Sequence, residues 1–182
     1  MNPPVDGTAK AAIVATVRDA GDFLGFWIQY HLSIGFSKII LFFDDPTETY
    51  ISKISRLNGV IVFISDAGLR ERRKSCRLYA YNKKFLDTHV MARQVLNAEI
   101  GIGVARELDT DWILHIDCDE LFYSPGVSLA RHISELEQKG INHQAYINHE
   151  AVVDKLDIKN MFEEVTLFKK NIRALKRSRS DC

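Results

Sequence analysis

Three acidic side chains follow an apolar run in the stretch DWILHIDCDELFY, residues 111–123. Asp117, Asp119 and Glu120 fall within four positions. In an extended chain Asp117 and Asp119 lie on the same side, and neighbouring carboxylates repel unless a cation or a shared proton compensates. A hard divalent ion such as Mg²⁺ or Mn²⁺ suits this pair, because it takes oxygen ligands, including those of a substrate phosphate. The alternative is that the acids cap a turn and carry solvated charge.

The elements around this stretch alternate between strands and helices. Short apolar, β-branched runs predict four buried strands, at 11–17, 38–43, 59–64 and 111–116. Helical spacing or caps predict helices at 19–35, 49–57, 89–108 and 127–140. Residues 65–88 are predicted to be polar and irregular, and residues 144–153 to form a further strand. This order predicts an α/β fold, with a mostly parallel sheet covered by helices on both faces.

Ligands of such sheets bind beyond the carboxyl ends of the strands, so the polar residues after each strand are the site candidates. They are Thr16, Arg18 and Asp19; Asp44 and Asp45; Ser65 and Asp66; and Asp117, Asp119 and Glu120. Acids recur at these strand ends, which favours metal or nucleotide binding over a lone capped turn.

Composition limits the classes of function. The chain of 182 residues fits one domain, and its 24 basic and 24 acidic residues give a net charge of zero, so we expect no nucleic-acid partner. The three cysteines have no zinc-type spacing and cannot form a disulfide framework. No apolar run is long enough to span a bilayer. The chain alone therefore suggests a cytoplasmic protein, or a membrane-associated protein of the Golgi or secretory pathway if an N-terminal anchor is missing.

The sequence resembles the nucleotide-sugar-dependent glycosyltransferases of the GT-A fold, in particular the family-2-like and family-92-like group. The similarity lies in the turn Arg18-Asp19-Ala20, the segment FWIQYHLSIG at 26–35, the acidic turn DDPTE at 44–48, and the D-x-D segment from Trp112 to Phe122. The sequence departs from the group's pattern at Asp19, where Asn is commoner, and at Phe26, where Glu is usual.

The resemblance implies a metal-dependent, hexosyltransferase-like enzyme of the Rossmann-like type that moves a sugar from a nucleoside diphosphate sugar to an acceptor hydroxyl with inversion. Thr16, Arg18 and Asp44 would line the base and ribose. Asp117 would face the ribose or the metal, and Asp119 would bind the Mn²⁺ or Mg²⁺ that bridges the diphosphate. Glu120 would cap the following turn or support the residues that bind the metal.

One glycosyltransferase-like domain is expected over 1–182. The resemblance places a nucleotide-binding part at about 11–125, a partial acceptor-side part at 126–170 and a frayed basic tail at 171–182. The acceptor-side part looks short, so the alternative is a truncated, non-catalytic domain that binds a nucleotide sugar. Donor sugar and acceptor are not predicted.

Several further side chains have both a functional and a structural interpretation. The catalytic base is not assigned. Glu150 is the candidate, and Asp154 and Glu163 are others.

Gln94 and Asn97 either face the site or lie on a solvated helix face. The basic run at 70–74 either reaches the diphosphate or is solvated. His31 is predicted to be a hydrogen-bonded core residue, and His115 either a core residue or a partner of the metal site. An aspartate-nucleophile phosphatase is disfavoured, because Leu121 stands where that class needs Thr or Val.

Overall fold

The computed structural model describes residues 9–169, which form two compact units that divide between Gly140 and Ile141. The first unit contains a four-stranded sheet in which every pairing is parallel, in the order β3-β2-β1-β4. Its strands are β1 (Ala11–Val17), β2 (Lys38–Phe43), β3 (Val60–Ile64) and β4 (Trp112–His115). The predicted α/β fold with a parallel sheet is confirmed.

Helices connect and follow these strands. They are α1 (Phe23–Ser33), α2 (Ile51–Ile54), α3 (Ala67–Lys74), α4 (Tyr79–Asn82), α5 (Val90–Glu107) and α6 (Leu129–Gln138). Ser128 caps α6, since its hydroxyl accepts from the Arg131 N–H at 3.3 Å. Gly35 and Gly140 follow α1 and α6 with φ of +114° and +67°, the left-handed conformation that ends many helices. Both predicted helix stops are therefore confirmed.

The two central strands supply the core. Every residue of β1 is buried, as are the last five of β2, whereas β3 and β4 are half-buried because each has only one neighbour in the sheet. Helix α5 packs closely on β1 at Gly101, where an added Cβ would lie 2.7 Å from a methyl carbon of Val14. Glycine at this position therefore permits the contact between helix and sheet.

The prediction for the segment 65–88 was wrong. Residues 65–88 are largely helical rather than irregular: α3 and α4 lie there, followed by a 3₁₀ turn at Lys83–Phe85. Helix α3 begins at a side-chain cap, because the Asp66 carboxylate accepts from the Leu69 N–H at 2.8 Å. Its sequence AGLRERRK has little apolar periodicity, which is why the helix escaped prediction.

The second unit is small. Strand β5 (Ala151–Val152) pairs antiparallel with β6 (Leu167–Phe168), and α7 (Met161–Glu164) lies between them, with Asn160 as its cap. The strand predicted over 144–153 is therefore limited to two residues. The predicted tail at 171–182 lies outside the described residues. Among residues 9–169, no helix has both the length and the apolar character needed to cross a membrane.

Candidate functional site

An open cleft of about 360 Å³ lies at the carboxyl edge of the sheet. Its lining comes from the residues that follow β1, β2 and β3 and from the region around the start of α5: Arg18, Asp19, Asp44, Asp45, Pro46, Ser65, Leu86, Asp87 and Arg93. The parallel topology brings these strand ends together. Arg18 and Asp44, two of the four predicted nucleotide-sugar ligands, thus share one cleft.

Asp44 is the most deeply placed acid of the cleft, with its side chain 6% exposed. Arg93 of α5 donates from Nε to Oδ2 of Asp44 at 2.8 Å, and its Nη2 forms an ion pair with the same oxygen at 2.7 Å. Nη1 of Arg93 donates to the Leu86 carbonyl at 2.6 Å, which fixes the guanidinium at the cleft wall. The other carboxylate oxygen, Oδ1, is buried without a hydrogen-bond partner among the described residues; Nη2 of Arg73 lies 4.0 Å from it.

A buried polar network lies beneath this wall and contains Thr16. The Asn97 Nδ2 donates to the Thr16 hydroxyl at 2.9 Å, and Arg73 donates from Nε and Nη2 to Oδ1 of Asn97, at 3.1 and 2.9 Å. All three residues are buried, and Thr16 does not line the cleft. The two interpretations of the basic run were that it reaches the diphosphate or is solvated. Arg73 fits neither, because it is buried and does not line the cleft. Burial lowers the pKa of its guanidinium, while the charge of Asp44 opposes that change.

The acidic segment after β4 is a turn. The Glu120 N–H donates to the Asp117 carbonyl at 3.1 Å, and the Glu120 carboxylate accepts from the Asp117 N–H at 3.4 Å. The prediction of an extended chain through Cys118 was wrong, because β4 ends at His115 and residues 117–120 form a turn. Glu120 thus closes the turn 117–120 itself, rather than the following turn. Asp117 and Asp119 are both exposed, and Gln94 Nε2 donates to the Asp117 carboxylate at 2.8 Å.

Strand register places this turn beside the cleft. His115 of β4 pairs with Val14 of β1, so the residue after Ile116 reaches the level of Thr16. Because β4 and β1 are neighbours in the sheet, the turn after β4 follows the strand that lies beside the end of β1. Burial, then the charge of Asp119, raises the pKa of the Cys118 thiol to about 11. Cys118 is thus protonated at neutral pH and unsuited to act as a nucleophile.

Helix α1 holds the chain that leaves the turn. Trp27 Nε1 donates to the Glu120 carbonyl at 2.6 Å, and the Tyr30 hydroxyl donates to the Phe122 carbonyl at 2.8 Å. The Phe122 N–H donates to Nε2 of His31 at 3.1 Å. We call Trp27, Tyr30 and His31 the α1 clamp.

The bonds of His31 define its protonation. Its Nδ1 lies 2.9 Å from the Trp27 carbonyl, which can only accept, and its Nε2 faces the Phe122 N–H, which can only donate. Neutral imidazole with the proton on Nδ1 satisfies both. Burial lowers the pKa of this histidine from 6.5 to about 4, although the hydrogen bond to the Trp27 carbonyl acts to raise it. The prediction of a hydrogen-bonded core histidine is confirmed. His115, by contrast, is exposed, because β4 is an edge strand.

A second set of contacts shapes the turn after β1. Asp19 has a φ of +53°, a left-handed conformation that Asp and Asn adopt more readily than most residues. The Asp19 N–H donates to the Glu48 carboxylate at 3.2 Å, and the Gly21 N–H donates to the Tyr50 hydroxyl at 3.3 Å. The loop after β2 thus fixes the backbone on either side of Ala20 and, through it, the position of Arg18.

The candidate base Glu150 belongs to the second unit. It is exposed and forms an ion pair with Lys169, and this hydrogen bond and charge lower the pKa of the carboxyl. A lowered pKa makes the carboxylate a weaker base. Asp154 and Glu163 are likewise exposed in this unit, and no catalytic base is assigned.

Sequence reasoning missed Arg93, Glu48 and Tyr50 as residues that shape the cleft. Arg93 could have been found, because it precedes Gln94 and lies one helical turn before Asn97. Those two neighbours contact Asp117 and Thr16 respectively, so neither is a purely solvated side chain: Gln94 bonds the acidic turn, and Asn97 is buried beneath the cleft.

The donor chemistry of the turn fits a hard divalent ion. Within residues 9–169 no three His, Cys, Asp or Glu side chains gather into a metal-binding group. Asp117 and Asp119 would therefore supply only carboxylate oxygens, and substrate phosphates and water would complete the shell. This ligand set suits Mg²⁺ or Mn²⁺ rather than a structural metal held wholly by protein.

The sequence is similar to two glycosyltransferase-like proteins of Arabidopsis thaliana. One is 31% identical over 161 residues, which cover 83% of this chain and 36% of that protein. The other is 28% identical over 162 residues, or 83% of this chain and 31% of its own length. The chain spans about a third of the length of these curated relatives. The similarity supports a relationship to glycosyltransferases.

No protein-family model matches the chain. No solved structure matches it either.

Proposed function

We propose that this chain binds a nucleoside diphosphate sugar at the carboxyl edge of its sheet and acts in metal-dependent transfer of the sugar to an acceptor hydroxyl, with inversion. The proposal includes membership of the GT-A group that is family-2-like and family-92-like, and a hexosyltransferase-like activity. The observation that carries it is the arrangement of the edge: the Arg18–Asp44 cleft and the turn that bears Asp117 and Asp119 follow neighbouring parallel strands at the same edge of the sheet. The similarity to glycosyltransferase-like proteins gives this geometry its chemical context.

The nucleoside would occupy the cleft. Burying a carboxylate oxygen without a hydrogen bond is costly, so the unpartnered Oδ1 of Asp44 favours a ligand that donates an N–H or O–H there. Both the base and the ribose of a nucleotide carry such donors. Arg18 has a side chain 64% exposed and can reach a ligand, whereas Thr16 is buried beneath the cleft and bonded to Asn97.

The diphosphate would lie over the acidic turn. Asp119, with Asp117 beside it, would hold Mn²⁺ or Mg²⁺, and Gln94 would orient the Asp117 carboxylate. The bound ion would offset negative charge on the departing nucleoside diphosphate. Arg18 supplies positive charge at the same edge.

Release of nucleoside diphosphate from a panel of UDP-sugars and GDP-sugars with Mn²⁺ tests the transfer reaction. We expect release by the wild type that stops when the metal is chelated and is lost in Asp119→Asn. Asp109→Asn is the matched control, because Asp109 is 92% exposed and pairs with Lys10, which precedes β1 and so lies beyond the opposite edge of the sheet. Donor binding without release from any donor would refute turnover and favour a binding-only domain.

A further inference from the structure

The acidic turn is held at both ends. Before the turn, β4 pairs with β1 up to His115. After it, the α1 clamp bonds the backbone of Glu120 and Phe122, and the Phe122 ring packs edge-on against Phe36 with centroids 5.7 Å apart. Asp117 and Asp119 lie between these two attachments.

The clamp uses polar atoms where apolar ones would suffice for packing. Trp27 and His31 are fully buried, and a helix needs only apolar side chains to cover a sheet. The three clamp residues stand at i, i+3 and i+4 on one helix face, and all three side chains bond the segment that leaves the turn. Aromatic rings have few rotamers, so packed rings hold a backbone contact more rigidly than long flexible side chains would.

We infer that Trp27, Tyr30 and His31 are positioning residues that fix the conformation of the turn bearing Asp117 and Asp119. The inference rests on the proposed function in so far as it assigns a ligand to that turn. The clamp residues act through the backbone and do not contact the ligand. Their loss should loosen the turn and weaken binding there while the rest of the sheet stays ordered.

Amide hydrogen exchange of the ligand-free chain tests the clamp directly. Tyr30→Phe removes one hydroxyl, and His31→Leu removes the acceptor for the Phe122 N–H. We expect exchange in the peptide 117–123 to accelerate about tenfold in each, the effect of losing about one hydrogen bond. His31→Gln supplies a new acceptor and should restore slow exchange. Tyr81→Phe is the control, because Tyr81 is 76% exposed on α4.

Amide exchange in peptides from β3, the edge strand opposite β4, serves as the control for loosening of the whole sheet. Unchanged exchange in 117–123 for Tyr30→Phe and His31→Leu would overturn the inference. Equal acceleration in β3 would also overturn it, since the residues would then merely support the core. If His31→Leu does not fold, Tyr30→Phe against Tyr81→Phe decides the matter.

Calorimetric titration with Mn²⁺ plus UDP or GDP links the clamp to the site. We expect about three- to tenfold weaker binding for Tyr30→Phe than for Tyr81→Phe, and recovery in His31→Gln relative to His31→Leu. Equal affinity in all four variants would refute a positioning role. If the wild type binds neither nucleotide, the proposed function fails, whereas the exchange experiment still decides whether the clamp orders the turn.

Discussion

We predict that the free energy of unfolding falls at acid pH because the buried, neutral His31 resists protonation in the folded state. The unfolded chain takes up a proton on this residue near pH 6.5, whereas burial lowers the pKa of the folded state to about 4. Between these values the unfolded state binds more protons, so the free energy of unfolding falls as the pH falls, and above pH 6.5 the residue contributes no pH dependence. At about 1.4 kcal/mol for each pH unit, the total is about 3 kcal/mol.

Urea unfolding at several pH values between 4 and 7.5 measures this effect. His31→Gln cannot titrate, so its difference from the wild type isolates the histidine while the other titrating groups cancel. We expect the wild type to lose about 3 kcal/mol more than the variant between pH 7 and pH 4. Parallel pH profiles for the two proteins would refute the lowered pKa of the buried histidine. Nitrogen NMR at pH 7 should show the imidazole proton on Nδ1.

Two further predictions concern packing. Gly101→Ala should lower the free energy of unfolding by about 1–3 kcal/mol, because its methyl group would overlap Val14, whereas Gly103→Ala has open space around it and should raise that free energy by up to about 1 kcal/mol. Equal effects in thermal unfolding would contradict the close approach of helix and sheet. Arg73→Lys keeps the charge but loses the two-nitrogen contact with Asn97, so we expect about 2 kcal/mol of destabilisation; no change in urea unfolding would contradict a buried network.

Much of the fold could be predicted because its strands are short, apolar and separated by helices. The core residues of β1 and β2 are contiguous in sequence, so burial on both sides of the sheet is visible as an unbroken apolar run. The residues of β4 do not show whether the strand lies at the centre or at the edge of the sheet. The exposure of His115 was therefore not predicted. Helix α3 begins with a capping Asp66 but has no apolar stripe, so only the cap could have indicated it.

The sequence predicted where the candidate site lies, at the carboxyl edge of the sheet, but few of the side-chain contacts in it. The rule that ligands bind at the carboxyl ends of parallel strands identified Arg18 and Asp44, which line the cleft. It could not identify Arg93 or the α1 clamp, because these residues reach the edge from helices and bond to carboxylates and backbone far away in sequence. The conformation of the acidic turn likewise depends on the capping carboxylate of Glu120, which the extended-chain argument did not include.

Metal-dependent nucleotide binding through Asp119 is the central claim, and calorimetric titration of the chain with UDP and GDP, each with and without Mn²⁺, tests it most directly. We predict binding of one or both nucleotides that requires Mn²⁺, is lost in Asp119→Asn and is retained in Asp109→Asn. Binding that is equal with and without Mn²⁺, or equal in the two variants, would contradict the claim.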